Sequence, residues 1–235
     1  MSRPTLLAVA HGSKDPAAKA TITALARQVH RLAPVLNVRV AFIQHAEPSL
    51  DAELSAAGGN AVIVPLLLST GYHLATDIAG AASAAGARVA GPLGPDTLLV
   101  TALASRLAEA GVPDGTPVVL AAAGSSDPAA QRDAERQAEL LAERLEVPVT
   151  AAFLSAARPA VDEAVAELAA RERREVAIAS YLLAPGHFQD QLQHAGARWV
   201  TAPLGGHPAM AGLVIDRYRT AAKGPAPAPE LAATA

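Results

Sequence analysis

Short apolar runs alternate along this chain with longer stretches in which apolar residues recur at helical spacing. "TLLAVA", "VRVAFI", "AVIVPLLL" and "ARVAG" are the first four short runs. Their β-branched and aliphatic content and lack of alternation predict strands buried on both faces. Between them, "DPAAKATITALARQVHRL" predicts a helix with Asp15 at the N-cap and Pro16 in the first turn. Further helices are expected from Pro48 to about Ala57, around Thr76 to Ala85, and over Thr97–Ala110. "GVPDGTP" then punctuates the chain, and the order restarts. "PVVLAAA", "VPVTAAFL", "EVAIASYLL" and "ARWVTAPLGG" supply strands. The Asp127–Pro128 helix and a Pro159–Arg171 helix fall between them.

Buried strands separated by helices predict parallel sheets covered on both sides. The restart predicts two three-layer α/β domains related by an internal repeat and facing each other across a cleft. The repeats are assigned to residues 1–112 and 116–222, with a disordered Pro/Ala-rich tail over 223–235. In open parallel sheets the loops after the strands' carboxyl ends carry the site.

One such loop is present twice. "LLAVAHGSKDPAAKA" (6–20) recurs as "VLAAAGSSDPAAQR" (119–132), but His11 in the first is Ala123 in the second. His11 follows the first strand and His73 follows the third, in "LLLSTGYHLATDI". Either imidazole alone is accounted for by a bond to loop backbone; both at equivalent strand ends favour a site for a divalent first-row metal. "FIQHAEPSL" adds Gln44, His45 and Glu47 at the same edge, with His45 or Glu47 as a candidate third ligand. Glu47 equally suits a helix entry. Asp15 and Asp127 read as caps. Ser13 lacks a nucleophile-elbow context and is assigned loop polarity or an anion contact. His187 in "LLAPGHFQDQL" copies His73, and His207 in "LGGHP" aligns with Asp96 in "LGPD".

Composition narrows the chemistry. Hydrophobic residues make up 51% of the 235, which excludes a disordered chain, while aromatics are only 3%. There is no cysteine, so thiolate metal sites, disulfides and a Cys nucleophile are excluded. A formal charge of −3 offers no general attraction to nucleic acid or anionic lipid. No phosphate-binding or dinucleotide glycine motif is present. The run Leu6–Ala10 is too short for a secretory signal, so a cytoplasmic setting is expected.

The "HGS.DP", "FIQHAEPSL", "VPLLLSTGYHLATDI" and "GPLG" segments together resemble the class II chelatases, and among them the sirohydrochlorin cobalt/iron chelatases of the long, two-repeat type. The resemblance spans about residues 5–220. It implies two flavodoxin-like domains and ATP-independent insertion of Co²⁺ or Fe²⁺ into sirohydrochlorin, for siroheme or cobalamin. His11 and His73 fall on the family's metal-binding catalytic histidines. A family glutamate falls on Gln44, which carries no charge, so His45 is the first candidate to replace it as metal ligand. Ser13, Lys14, Gln44 and His187 are expected to contact the macrocycle, whose peripheral carboxylates also suit Arg158. No cofactor beyond the metal substrate is expected, nor any nucleic-acid or membrane partner, and the chain is expected to act as a monomer or homodimer. The alternatives are a nickel chelatase, a tetrapyrrole or metal carrier on the same fold, or, last, a phosphohydrolase or mutase using His11.

Overall fold

The computed structural model describes residues 3–71 and 77–224. His73 and the tail from residue 225 lie outside the described residues, so the expectations for them are not addressed by the structure.

Two four-stranded parallel sheets are formed. The first holds β1 (Thr5–Ala10), β2 (Val38–Phe42), β3 (Ala61–Pro65) and β4 (Arg88–Val89) in the order β2-β1-β3-β4. The second holds β5 (Val118–Ala122), β6 (Val149–Phe153), β7 (Ala177–Tyr181) and β8 (Trp199–Val200) in the order β6-β5-β7-β8. The registers repeat as well: Val9 lies beside Ala41 and Pro65, and Ala121 beside Ala152 and Ser180. β1 and β5 are central strands, buried along their whole length, which is why they read as uninterrupted apolar runs.

Helices α1 (Pro16–Leu32) and α5 (Pro128–Leu145) begin as the sequence predicts. Asp15 accepts from the Ala17 amide and Asp127 from the Ala129 amide, both at 2.8 Å, ahead of a first-turn proline. α1 buries Ile22, Leu25, Ala26 and Val29, a stripe at i, i+3, i+4 and i+7. α2 (Leu50–Ala57) starts later than the expected Pro48, because Ser49 is its N-cap and accepts from the Ala52 amide. α6 (Val161–Glu172) likewise starts after Pro159. α3 (Ala79–Ala85) and α7 (His187–Leu192) are short.

The last helix of each repeat departs from the simple division. α4 (Thr97–Glu109) packs on α5 and β7 and belongs to the compact unit formed by residues 68–71 and 94–210. α8 (Pro208–Lys223) belongs from Ala211 onward to the other unit, with 3–67 and 77–93 among the described residues. There Arg217 donates to the Pro92 and Leu93 carbonyls at 2.7 and 2.8 Å, and the Tyr218 hydroxyl donates to the Pro4 carbonyl at 2.7 Å. These are charge-assisted or half-buried bonds, and they tie α8 to the ends of β4 and β1. Sequence repeats and compact units thus differ by the exchange of α4 and most of α8, and by the short segment Leu68–Gly71. Among the described residues no helix is long and apolar enough to cross a membrane.

The alignment of His207 with Asp96 has a physical counterpart. Asp96 caps α4 through the Leu98 amide at 2.8 Å, and His207 Nδ1 accepts from the Ala209 amide at the start of α8 at 3.2 Å. That role requires a neutral ring. Burial, followed by the neighbouring Arg106 guanidinium, holds the His207 pKa below its ordinary value, with Glu109 opposing. A histidine so depressed contributes stability that is complete above the unfolded value of about 6.5 and is lost as pH falls from there towards the folded value. His207→Asn keeps a cap without titrating. Urea unfolding at pH 7.5 and 5.5 is therefore expected to show a larger acid-dependent fall in wild type than in His207→Asn; equal falls would remove His207 from the account.

Candidate metal centre

The loop after β1 is fixed by a close approach to the loop after β2. Gly12 has φ +99°, and a Cβ there would overlap the Gln44 carbonyl oxygen. The Ile43 amide donates to Ala10 O at 3.0 Å and the Gln44 amide to His11 O at 2.9 Å, continuing the β1–β2 ladder beyond the strands. Only a residue without a side chain fits at that crossing. The second repeat has the same device: Gly124 has φ +94°, a Cβ there would overlap the Ser155 carbonyl oxygen, and the Leu154 amide donates to Ala122 O at 3.0 Å.

What differs between the two crossings is the chemistry they carry. In the first, His11 is half-buried and its Nδ1 contacts the Gly12 carbonyl at 3.2 Å. A carbonyl only accepts, so Nδ1 holds the proton in that bond. His45 is exposed and adopts a left-handed φ of 59°, uncommon for a residue with a side chain. Its ring centroid lies 6.3 Å from that of His11. With metal–nitrogen bonds of about 2.1 Å, this is near the outer limit for two imidazoles sharing one ion. In the second crossing Ala123, Ser155 and Ala156 take the places of His11, Gln44 and His45. Ala156 keeps the left-handed φ, 55°, and the exposed Ser155 hydroxyl donates to the Ala123 carbonyl at 2.8 Å.

The remaining expected residues separate clearly. Glu47 sits at the helix entry, where its carboxylate accepts from the Ser49 amide at 2.8 Å. Ser13 Oγ accepts from the Asp15 amide at 3.0 Å, as Ser125 Oγ does from the Asp127 amide at 3.1 Å. Gln44 and Lys14 are exposed beside His45 and Ser13 in sequence. His187 is exposed at the start of α7, 3.0 Å from Gln191. Arg158 forms an ion pair with Glu163. Among the described residues no group of three or more His, Cys, Asp or Glu side chains is gathered closely enough to hold an ion. Of the expected metal ligands, the described residues bring His11 and His45 near each other.

Two repeated parallel-sheet units, each with its loops at the strands' carboxyl ends, form a two-repeat α/β protein. The family is established by comparison: both repeats match the CbiX family, over residues 5–110 and 117–221, and the chain belongs to it. Sirohydrochlorin ferrochelatase of Bacillus subtilis (strain 168) is 28% identical over 243 residues, spanning 94% of this chain and 92% of that one. Sirohydrochlorin cobaltochelatase of Methanosarcina barkeri is 31% identical over 123 residues, which are 45% of this chain and 95% of that protein. The structure of SirB from Bacillus subtilis with Fe³⁺ aligns with a TM-score of 0.82 at 26% identity, covering 94% and 96% of the two chains.

Gly12→Ala introduces the clashing Cβ at a positive φ and forces the two loops apart. It is expected to lower stability by about 2–4 kcal/mol and to weaken metal binding at His11. Gly124→Ala is expected to lower stability comparably with metal binding unchanged. Denaturant melts and cobalt titrations of both variants check this; equal loss of metal binding in the two would contradict it.

Proposed function

We propose that this chain inserts a divalent first-row metal ion, Co²⁺ or Fe²⁺, into sirohydrochlorin without ATP, on the siroheme or cobalamin route. The observation that carries the reading is the asymmetric pair of crossings, with imidazoles at His11 and His45 held by Gly12 against Gln44 in one and alanines in the other. The names of the relatives supply the macrocycle: ferrochelatase and cobaltochelatase acting on sirohydrochlorin.

Insertion exchanges two pyrrole N–H protons for one M²⁺, and the ion must shed water to enter the ring. In this reading the His11 imidazole binds the incoming ion or accepts a departing proton. His45 occupies the place of a third ligand beside the uncharged Gln44, and His73 completes the set by its position in the family motif. Ser13, Lys14, Gln44 and His187 contact the macrocycle, with Lys14 facing its carboxylates. A small set of protein ligands leaves coordination positions open, which suits an ion that is handed on, and in this reading no cofactor is required beyond the metal substrate.

The test is insertion followed spectrophotometrically under anaerobic conditions with Co²⁺ and Fe²⁺ in turn. Wild type is expected to exceed the spontaneous rate, and His11→Ala and His73→Ala to fall by about a hundredfold or to background. His45→Ala is expected to fall about tenfold, chiefly through a raised KM for the metal. A shifted macrocycle spectrum with no acceleration would instead identify a tetrapyrrole carrier.

A further inference from the structure

The β7–α7 region, which lies within the compact unit of residues 94–210, holds three polar side chains in its core and an aromatic ring in solvent beside them. Ser180, Gln189 and Thr201 are all buried. The Ser180 hydroxyl donates to Gln189 Oε1 at 2.5 Å, and the Gln189 amide donates to the Thr201 carbonyl at 2.9 Å. The Ser180 backbone amide donates to the Thr201 hydroxyl at 2.9 Å. The strand registers match Ser180 to Pro65 and Thr201 to Ala90 of the first repeat, and neither of those has a side-chain donor or acceptor. A satisfied buried network fixes one arrangement of the elements it joins, here α7 against β7 and β8.

What the network positions is the start of α7. Gln189 and Leu192, three residues apart, face the core, and this turns His187, Phe188 and Gln191 outward. Two further restraints act on the same turn. The Leu204 amide donates to Leu182 O and the Gly205 amide to Leu183 O, both at 2.8 Å, so the loops after β7 and β8 stay paired beyond the strands. Gly186, at φ +137°, makes the entry to the helix, and its carbonyl accepts from the Asp190 amide at 3.0 Å. Phe188 is 37% exposed, while Phe42, Phe153, Tyr181 and Tyr218 are buried; among the described residues no other Phe, Tyr or Trp is exposed. A lone exposed apolar residue is ordinary. This one is distinguished by its rigid mount, by the His187 ring with its centroid 6.0 Å away, and by its place at the carboxyl edge of a parallel sheet, where such folds bind ligands.

We propose that Phe188 is a substrate-contact residue that lays its ring against the face of the tetrapyrrole macrocycle, and that Gln189 is the positioning residue that holds it there. The inference deepens the chelatase reading and rests on it for the identity of the ligand. A conjugated macrocycle offers a broad apolar face with its carboxylates at the rim. An aromatic ring matches that face, and it does so at small entropic cost once its backbone is fixed. The His187 imidazole and the Gln191 amide, 3.0 Å apart on the same exposed turn, supply polar groups for the rim. Phe188 has no lone pair to offer a metal, so it recognises the macrocycle and not the ion.

The experiment uses the full chain in three measurements. Metal-free sirohydrochlorin is titrated anaerobically and followed by its visible absorption, Co²⁺ alone is titrated separately, and Co²⁺ insertion is run at varied macrocycle concentration. Phe188→Ala removes an exposed ring and should melt with wild type. It is expected to bind sirohydrochlorin about tenfold more weakly, with the change in insertion carried by KM for the macrocycle rather than by kcat, and with Co²⁺ affinity unchanged. Phe188→Tyr keeps the ring and should restore binding. Gln189→Leu is expected to weaken macrocycle binding about threefold in the wild-type background and not at all in the Phe188→Ala background. Ser180→Ala, which removes the hydroxyl bond to Gln189, takes its place if Gln189→Leu does not fold. Wild-type sirohydrochlorin affinity in folded Phe188→Ala would overturn the contact and leave the chelatase reading standing. Equal losses from the network variant in both backgrounds would overturn the positioning role of Gln189. If wild type neither binds sirohydrochlorin nor accelerates insertion, the chelatase reading and the contact fall together.

Discussion

The close approach of a glycine to a carbonyl at the ends of two neighbouring strands is the constraint on which this molecule depends. At Gly12 the chain leaves β1 with no room for a side chain between it and Gln44 O, and the same is true of Gly124 and Ser155 O. Each crossing extends the hydrogen-bond ladder of its sheet past the last strand residue and delivers the following helix with its Asp-Pro cap in place. The residue before the glycine is then held at the carboxyl edge of a central strand, where a packed sheet supplies a rigid support. Stability and chemistry are separable here. Both crossings stabilise the fold, while only the first carries imidazoles.

Duplication explains why the separation is tolerated. The second crossing keeps the glycine, the capping serine and the left-handed residue, and it has replaced His11, Gln44 and His45 by Ala123, Ser155 and Ala156. In the second repeat Tyr181, Asp133 and Gln137 stand where the first has Leu66, Thr21 and Leu25, and they bond to first-repeat backbone at Leu68, Thr70 and Asp96. The exchange of α4 and α8 between compact units works in the same direction, since each unit is completed by a helix from the other repeat.

Much of this was legible in the sequence because it is local. Uninterrupted apolar runs gave parallel strands, Asp-Pro gave helix starts, and the doubled loop gave the two repeats. Glu47 could be read two ways, and in the structure its carboxylate accepts from the Ser49 amide, as the helix-entry reading expects. What the sequence did not disclose is tertiary. The apolar stripes of α4 and α8 suit either sheet, so their exchange leaves no periodic signal. The nearness of His45 to His11 depends on a positive φ at a residue type that seldom adopts one. Asp133, Gln137 and Tyr181 become conspicuous only when set against Thr21, Leu25 and Leu66, a comparison that requires the registers of both sheets.

The central claim is that two equivalent folds carry one metal centre, in the first repeat. Equilibrium dialysis against Co²⁺, with bound metal counted per chain, tests it directly. The account predicts one specifically bound ion per chain in wild type and none in His11→Ala. Two ions per chain, with one surviving in His11→Ala, would contradict it.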